Sequence, residues 1–230
     1  MKDFFATSMF FCVTLSLAAY GVGIIAKKYL KLFIFNPLLV AIALTIIVLL
    51  ASGIEYAEYN HSAKYLSYLL TPATICLAIP LYEQYKLLKK NFTAIMVGIA
   101  SGVFTSLTTI FLMAILFELG HYEYITLLPK SITTAIGIGL SQELEGYVSI
   151  TVASIMITGL FGNIAGDIIC KFCGIKHPVA RGIAIGTSAH VMGTAKALQM
   201  GQIEGAMSSL SIAVAGCMTV AGAILYSNLI

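Results

Sequence analysis

The chain has 230 residues, of which 59% are hydrophobic and 10% are charged, and its formal net charge is +3. A soluble domain carries about a quarter charged residues, and a mean hydropathy of +0.96 is too high for a single water-soluble core. The composition therefore excludes a soluble enzyme, a nucleic-acid-binding protein and a disordered regulator. It predicts an all-α polytopic protein that lies almost entirely in the lipid bilayer, because about 20 apolar residues form one helical span.

Apolar stretches of helical length follow one another along the whole chain, with short loops between them. The predicted helices are 4–26, 35–52, 63–85, 92–117, 125–142, 147–172, 181–200 and 205–228. Because no polar linker separates them, we expect residues 1–230 to form one membrane domain of seven to eight helical segments. The sequence contains no paired carboxylates, metal-ligand quartet, nucleotide-binding loop or catalytic triad, so it predicts neither an enzyme nor a bound metal or cofactor.

Three of these segments contain residues that interrupt transmembrane helices. They are 69–82, with two prolines; 127–140, with a proline, a lysine and two glycines; and 182–198, with three glycines, a histidine and a lysine. Irregular backbone is tolerated at membrane depth only where it faces protein or a water-filled cavity. We therefore expect broken or re-entrant helices that face one another.

The distribution of lysine and arginine predicts the membrane topology. Basic residues cluster after the first, third and sixth segments, whereas the loops between these clusters are acidic or neutral. The positive-inside rule places the basic clusters in the cytoplasm and the N-terminus outside. The third cluster stays inside only if 125–146 makes no net crossing, so we predict that 129–143 is a re-entrant loop that enters from the outer face.

A weak internal repeat accompanies the broken segments. The sequence Thr71-Pro-Ala-Thr-Ile-Cys-Leu-Ala and its following helix parallel Thr187-Ser-Ala-His-Val-Met-Gly-Thr and the helix after it. With the topology above, the two copies run in opposite directions. Paired broken helices in inverted repeats form the substrate sites of many transporters. The alternative is chance similarity between two segments rich in Ala, Thr and Gly.

The second broken segment contains a candidate anion site. Lys130 follows Pro129, and Ser131, Thr133 and Thr134 follow in turn. Free backbone N–H groups at the start of a half-helix, a nearby ammonium group and three hydroxyls together favour a bound anion. The alternative is a lysine at the level of the lipid headgroups that anchors the helix.

The third broken segment repeats this polar pattern with Ser188, His190 and Thr194. His190 and Thr194 share one face if the backbone is helical. A histidine here can donate a hydrogen bond to a carboxylate or carry a proton near neutral pH, which makes His190 the candidate for proton coupling. A hydrogen bond between helices is the alternative role. Thr74, in the first broken segment, completes the predicted binding residues.

Five motifs occur in order from residue 36, and together with Gly205-Ala-Met-Ser-Ser-Leu they cover about 36–225. They are Asn36-Pro-Leu-Leu-Val-Ala-Ile, Pro72-Ala-Thr with Ala78-Ile-Pro-Leu-Tyr, Leu128-Pro-Lys-Ser-Ile-Thr-Thr, Ile175-Lys-His-Pro-Val-Ala-Arg-Gly and Gly186-Thr-Ser-Ala-His-Val-Met-Gly-Thr-Ala-Lys. Together these motifs resemble the LrgB/CidB family of antiholin-like membrane proteins. The resemblance implies a multi-pass protein of the bacterial inner or plasma membrane that is linked to murein hydrolase control and cell lysis.

The resemblance also implies partners and substrates. Plastid relatives resemble a glycolate/glycerate translocator, and some bacterial members are associated with pyruvate uptake. The LrgA-like portion that precedes this domain in plastid members is missing, which implies a separate small LrgA/CidA-type membrane partner. The family continues its Pro-Lys-Ser motif with Thr-Pro-Ile-Ala, whereas Ala135 and Gly137 stand here, so we expect no proline kink at this point.

Two functions remain as hypotheses. The first is a secondary transporter of small 2-hydroxy or 2-oxo monocarboxylates such as glycolate, glycerate and pyruvate, bound between broken helices and coupled to protons through His190. The second is an antiholin- or holin-like protein that modulates lysis. Broken helices that carry Lys130 and His190 are costly in a membrane and favour the binding function. GxxxG spacings such as Gly162–Gly166 predict close helix packing and a homodimer.

Overall fold

A computed structural model describes residues 9–30 and 36–230, and every regular element in these ranges is helical. This confirms the prediction of an all-α protein. In chain order the helices are α1 (Met9–Leu30), α2 (Pro37–Ser52), α3 (Tyr56–Ser67), α4 (Leu70–Cys76), α5 (Ala78–Glu83), α6 (Tyr85–Lys90), α7 (Phe92–Leu116), α8 (His121–Leu127), α9 (Thr134–Glu143), α10 (Val148–Phe172), α11 (Pro178–Met200) and α12 (Gln202–Tyr226), with short 3₁₀ helices at Leu128–Ser131 and Ser227–Leu229.

Four helices within these ranges are long and apolar enough to cross a membrane. They are Phe10–Leu30, Phe92–Leu116, Val148–Phe172 and Gln202–Leu229. The predicted helix 63–85 is divided into short helices, because Pro72 and Pro80 and the turns around them interrupt the hydrogen-bond ladder. The start of the first predicted helix, residues 4–8, lies outside the described residues.

The chain divides into two compact units, Met1–Cys76 and Leu77–Ile230. In the first unit α1 packs against α2 and α3. The start of α2 is fixed by Asn36, whose Oδ1 accepts a hydrogen bond from the backbone N–H of Leu38 at 2.9 Å, and its end by Gly53 at φ 63°. The side chain of Thr74 is not among those that the structure describes, so its predicted role stays a prediction, as does the single domain.

The second unit contains three long helices, α7, α10 and α12, and two helical hairpins. We call α8, the 3₁₀ helix and α9 together the first hairpin (121–143), and α11 the second hairpin (178–200). At one end of the unit, Oη of Tyr226 on α12 lies 2.7 Å from Oγ1 of Thr108 on α7. The carbonyl oxygen of Tyr226 accepts a hydrogen bond from Oη of Tyr124 at 2.9 Å. The first hairpin therefore starts at the end where α7 and α12 finish.

The first hairpin reverses at Ile132 and Thr133, which both have extended backbone angles. Oγ1 of Thr151 on α10 donates to the carbonyl oxygen of Thr126 at 2.8 Å and lies 2.8 Å from Oγ of Ser141. Since Thr126 precedes the reversal and Ser141 follows it, the two arms of the first hairpin lie side by side. The break thus forms without a proline in α9, because the reversal at Ile132 and Thr133 precedes that helix.

The length of α9 bears on the predicted re-entrant loop 129–143. Its 10 residues rise about 15 Å, which is half the apolar thickness of a bilayer. An arm of this length cannot span the membrane by itself. A hairpin with such arms can enter and leave by the same face, which agrees with the re-entrant prediction.

The second hairpin reverses at Ala189 and His190, whose φ values are −131° and 42°. A Cβ on Gly182, in the first arm, would lie 2.5 Å from the backbone oxygen of Glu204. In the second arm, Leu198 packs against Gly205. Both arms therefore meet the start of α12. The segment predicted as helix 181–200 enters and leaves the unit at the same end.

The two hairpins enter the second unit from opposite ends. The first hairpin opens beside Thr151, near the start of α10, and the second opens beside Asp167, near its end, where Arg181 contacts the Asp167 carboxylate. These positions on α10 are about 24 Å apart at 1.5 Å per residue. The tips of the hairpins approach each other between the two ends, as the sequence predicted for the broken segments 127–140 and 182–198.

Candidate functional site

A cavity of about 830 Å³ lies between the hairpins, and its wall is formed by α7, α10, the 3₁₀ helix and the first arm of α11. We call it the hairpin cavity. Of the predicted site residues, Lys130, Ser131 and Ser188 line it. Both interrupted segments thus contribute to one cavity, although they are far apart in the sequence.

One face of α7 forms a polar stripe along the hairpin cavity. Its residues recur every three or four positions and are all small: Gly98, Ser101, Gly102, Thr105, Ser106 and Thr109. Such spacing places side chains on one face of a helix. Sequence reasoning missed these hydroxyls, although the periodic Gly/Ser/Thr pattern was present as a signal.

Lys130 is the basic residue of the cavity's deep end. Its side chain is half-buried, and Nζ donates to Oγ of Ser131 at 3.3 Å, which in turn lies 3.1 Å from Oγ of Ser106. In the described part of the chain, the cavity wall contains no Asp or Glu and no Arg. The ammonium group therefore has no carboxylate partner in the cavity. A half-buried cation among hydroxyls, with no compensating negative charge, favours a bound anion.

His190 takes a different position from the one predicted. Its buried ring faces α10, where Nε2 donates to the backbone carbonyl oxygen of Ile155 at 3.1 Å. Gly159 makes room for the ring, since a Cβ there would lie 2.7 Å from Nε2. This is the interhelical hydrogen bond that the sequence left as the alternative role. His190 does not belong to the described cavity wall, and its part in proton coupling stays a prediction.

The other predicted hydroxyls stabilise the hairpins. Oγ1 of Thr194 donates to the backbone oxygen of His190 at 3.0 Å and lies 2.7 Å from Oγ of Ser208. Thr133 and Thr134 are half-buried at the start of α9, beyond the cavity wall as described. Their contribution to ligand binding stays a prediction.

Charged side chains connect α10, α11 and α12 at the open end of the second hairpin. Nζ of Lys171 lies 2.8 Å from Oδ2 of Asp167, as their spacing of four residues predicts. The Arg181 guanidinium contacts the other oxygen of Asp167, and its Nη1 lies 3.6 Å from Oε1 of Glu204. Sequence reasoning missed Arg181, because its two partners stand on different helices. This cluster positions the arms of the second hairpin.

Comparison with known proteins identifies close relatives over nearly the whole chain. Residues 16–229 match the model of the LrgB-like family. The antiholin-like protein LrgB of Bacillus subtilis (strain 168) is 37% identical over 214 residues, which are 93% of both chains. The proteins of the same name from Bacillus cereus (strain B4264) and Bacillus anthracis (strain CDC 684 / NRRL 3495) are each 36% identical over 212 residues, 92% of both chains. No solved structure is significantly similar.

Proposed function

Because the chain belongs to the LrgB family, we propose that it is an antiholin-like membrane protein that restrains murein hydrolase activity and cell lysis. The name shared by its relatives, at 36–37% identity over more than nine-tenths of each chain, supports this function. Its apolar helices support a location in the membrane. The bacterial inner or plasma membrane and a multi-pass topology are part of the proposal.

A second candidate function is favoured by the geometry of the hairpin cavity. The cavity presents Lys130, Ser131 and the hydroxyls of α7 without an acidic residue in the described wall. We propose that it binds a small 2-hydroxy or 2-oxo monocarboxylate of the glycolate, glycerate and pyruvate class and carries it across the membrane. Secondary transporters bind their substrates between interrupted helices near the midplane, and the hairpin tips offer that arrangement.

The orientation of the hairpins supports an inverted structural pair. The sequence predicted copies that begin at Thr71 and Thr187, whereas in the second unit the opposed elements are the first hairpin (121–143) and the second hairpin (178–200). We propose that these hairpins are the inverted pair that surrounds the substrate. A homodimer and a small LrgA/CidA-type partner remain part of the proposed function.

The proposed topology also implies which side of the membrane the hairpin cavity faces. Asn91 and His177 line it, and they stand beside the basic clusters that contain Lys90 and Lys176. The positive-inside rule places these clusters in the cytoplasm. The hairpin cavity then faces the cytoplasm in this structure, with Lys130 at its deep end. Transport requires a second state in which the first hairpin admits the ligand from outside.

Two measurements test the candidate functions separately. Purified protein in liposomes should take up labelled glycolate or pyruvate with saturation, and should not release an entrapped dye. Dye leakage without saturable uptake would contradict transport. For the antiholin-like function, a Bacillus strain that lacks its own LrgB should lyse faster in stationary phase, and this chain should restore slower lysis. Unchanged lysis on expression of the chain would contradict that function.

A Lys130→Met variant connects the two assays. Loss of uptake together with loss of lysis control would mean that the hairpin cavity serves both functions. Loss of uptake alone would make lysis control independent of the cavity. The matched control is Lys171→Met, which also removes one lysine charge from the second unit, but from a side chain that is 69% exposed and outside the described cavity wall.

A further inference from the structure

The hydroxyl of Thr187 is buried in the wall of the hairpin cavity without a hydrogen-bond partner. Thr187 is 7% exposed, and its Oγ1 has no partner among the described residues. A threonine in a helix usually bonds the carbonyl oxygen of the preceding turn, as Ser188 does with Ala184 at 2.7 Å. Leaving a buried hydroxyl unsatisfied destabilises the folded state, which indicates that this hydroxyl serves another purpose.

The surroundings of Thr187 connect it to Lys130. A Cβ on Gly102 would lie 2.7 Å from Cγ2 of Thr187 and 3.9 Å from its Oγ1. The methyl group thus packs against α7, and the hydroxyl lies farther from that helix. Ser106 follows Gly102 by one helical turn, about 5.4 Å of rise, and it contacts Ser131 next to Lys130. Thr187 and Ser131 therefore contact α7 about one turn apart, and both line the same cavity as Lys130.

An unpartnered hydroxyl and an ammonium group in one cavity wall fit a small acid with an oxygen atom on its second carbon. On the basis of the transport function proposed above, we infer that Lys130 and Ser131 hold the carboxylate while Thr187 recognises the 2-hydroxy or 2-oxo oxygen. A hydroxyl both donates and accepts, so one side chain serves both substrate types.

The inference makes Thr187 the residue that distinguishes a 2-substituted acid from a plain one. Glycolate and acetate differ only by the 2-hydroxyl group. Acetate leaves the Thr187 hydroxyl unsatisfied, whereas glycolate satisfies it, and sites that hydrogen-bond a substrate hydroxyl reject the analogue without it. Gly102 contributes by the absence of a side chain, because a methyl group there would press on Thr187.

The test measures binding of glycolate and of acetate to the purified full-length chain by titration calorimetry. Wild-type protein should bind glycolate about tenfold more tightly than acetate, the factor that one hydrogen bond supplies. Thr187→Val should weaken glycolate binding about tenfold and leave acetate binding unchanged. Thr187→Ser, which keeps the hydroxyl, should keep the preference. The matched control is Thr219→Val, at a threonine that is 4% exposed on α12 and outside the described cavity wall.

Thermal unfolding separates recognition from a structural role. Because valine removes an unsatisfied hydroxyl, Thr187→Val should unfold at the same temperature as wild type or higher. A lower unfolding temperature with equal weakening for both acids would contradict the inference, and so would an unchanged preference for glycolate. If wild-type protein bound neither acid, the proposed transport would fail together with the inference. Binding without uptake in liposomes would contradict transport alone.

Discussion

Nε2 of His190 donates a hydrogen bond to the backbone carbonyl oxygen of Ile155 at 3.1 Å. The side chain of the same isoleucine packs against Gly137 of the first hairpin. One residue of α10 therefore contacts both hairpin tips, which enter the unit from opposite ends. The proposed transport requires the hairpins to move relative to α10, and such a motion would change both contacts of Ile155.

The bond between His190 and Ile155 should contribute to stability. His190→Ala removes the donor but leaves a positive φ of 42° in place, and alanine is no better suited to that conformation than histidine. We expect a loss of about 1 kcal/mol in the free energy of unfolding, the usual net value of one hydrogen bond. Chemical denaturation of the detergent-solubilised protein measures it, and an unchanged midpoint would contradict the assigned bond.

Gly159 should tolerate no larger residue while His190 keeps its place. The Cβ of Gly159→Ala would lie 2.7 Å from Nε2 of His190, so the ring or the helix must shift. We predict a destabilisation of about 1–3 kcal/mol, the typical cost of overpacking. Gly139→Ala is the matched control, because no heavy atom lies within 4 Å of a Cβ at that position. Equal losses of stability for the two substitutions would show that the close contact between position 159 and the His190 ring does not affect stability.

Uptake should depend on pH if His190 carries the coupled proton. Protonation adds a positive charge beside a site for an anion, so uptake should rise as the external pH falls from about 8 to about 6, the range in which histidine changes its charge. His190→Gln keeps a hydrogen-bond donor but cannot take up a proton. It should retain uptake and lose the pH dependence. An unchanged pH profile would assign the proton to another group.

Lys130 should be essential for ligand binding and dispensable for folding. Lys130→Met keeps much of the side-chain length and removes the charge, so uptake of glycolate should fall to the level of empty liposomes. Lys130→Arg should also be impaired, because a planar guanidinium is not equivalent to an ammonium group. Size-exclusion chromatography reports on folding. Normal uptake by the Met variant would return Lys130 to the anchor role that the sequence left open.

Arg181 should be important for stability. Its guanidinium contacts the carboxylates of Asp167 and Glu204, and all three side chains are exposed by less than a fifth. Arg181→Met removes the cation beside Glu204 and leaves Asp167 with the exposed Lys171, and we expect a loss of about 3 kcal/mol, as for a broken buried pair. Lys171→Met should cost less than about 0.5 kcal/mol, as for an exposed pair in a helix. Thermal and denaturant unfolding measure both variants. Equal losses for Arg181→Met and Lys171→Met would contradict the proposed difference.

Accessibility labelling tests the re-entrant hairpins. A cysteine at Glu143, at the end of α9, should react with an impermeant reagent added outside the cell, whereas one at Lys176 should react only after permeabilisation. Glu143 is preferable to Glu145, whose φ of 60° would strain a cysteine. The background is a variant without the five native cysteines. Labelling of position 143 from the cytoplasm alone would contradict the outer entry of the first hairpin.

The sequence predicted where the helices break, and it predicted a re-entrant path for 129–143 from the basic clusters, but it left open whether 182–198 is kinked or re-entrant. Proline, glycine and buried polar residues mark an interruption at Pro129 and in 182–198, because each of them weakens the helical ladder. A kink and a complete reversal share these signals. The choice between them is made by tertiary contacts such as Leu198 with Gly205, which no local pattern contains.

The direction in which a side chain points was the second feature that could not be predicted from the sequence. Lys130 and Ser131 line the cavity because both lie in the short 3₁₀ helix at its wall, and their role in binding stays a prediction. His190 was expected in the site on the assumption of a helical backbone, and its positive φ turns the ring towards α10 instead. Thr187 was read only as part of a repeat. Its missing hydrogen bond is a property of the fold, not of the residue type.

The reversal of α11 also determines whether the proposed number of membrane crossings is odd or even. In the proposed topology a hairpin that leaves by its own entry face adds no crossing, so α7, α10 and α12 would carry the second unit from side to side. Three such crossings would bring Ile230 to the face opposite the start of α7, where the first hairpin begins, and Nδ1 of His121 at that start lies 2.6 Å from the backbone oxygen of Ile230. With Lys90 in the cytoplasm, a reporter fused after Ile230 would be exported, and a phosphatase that folds only outside the cell would be active there.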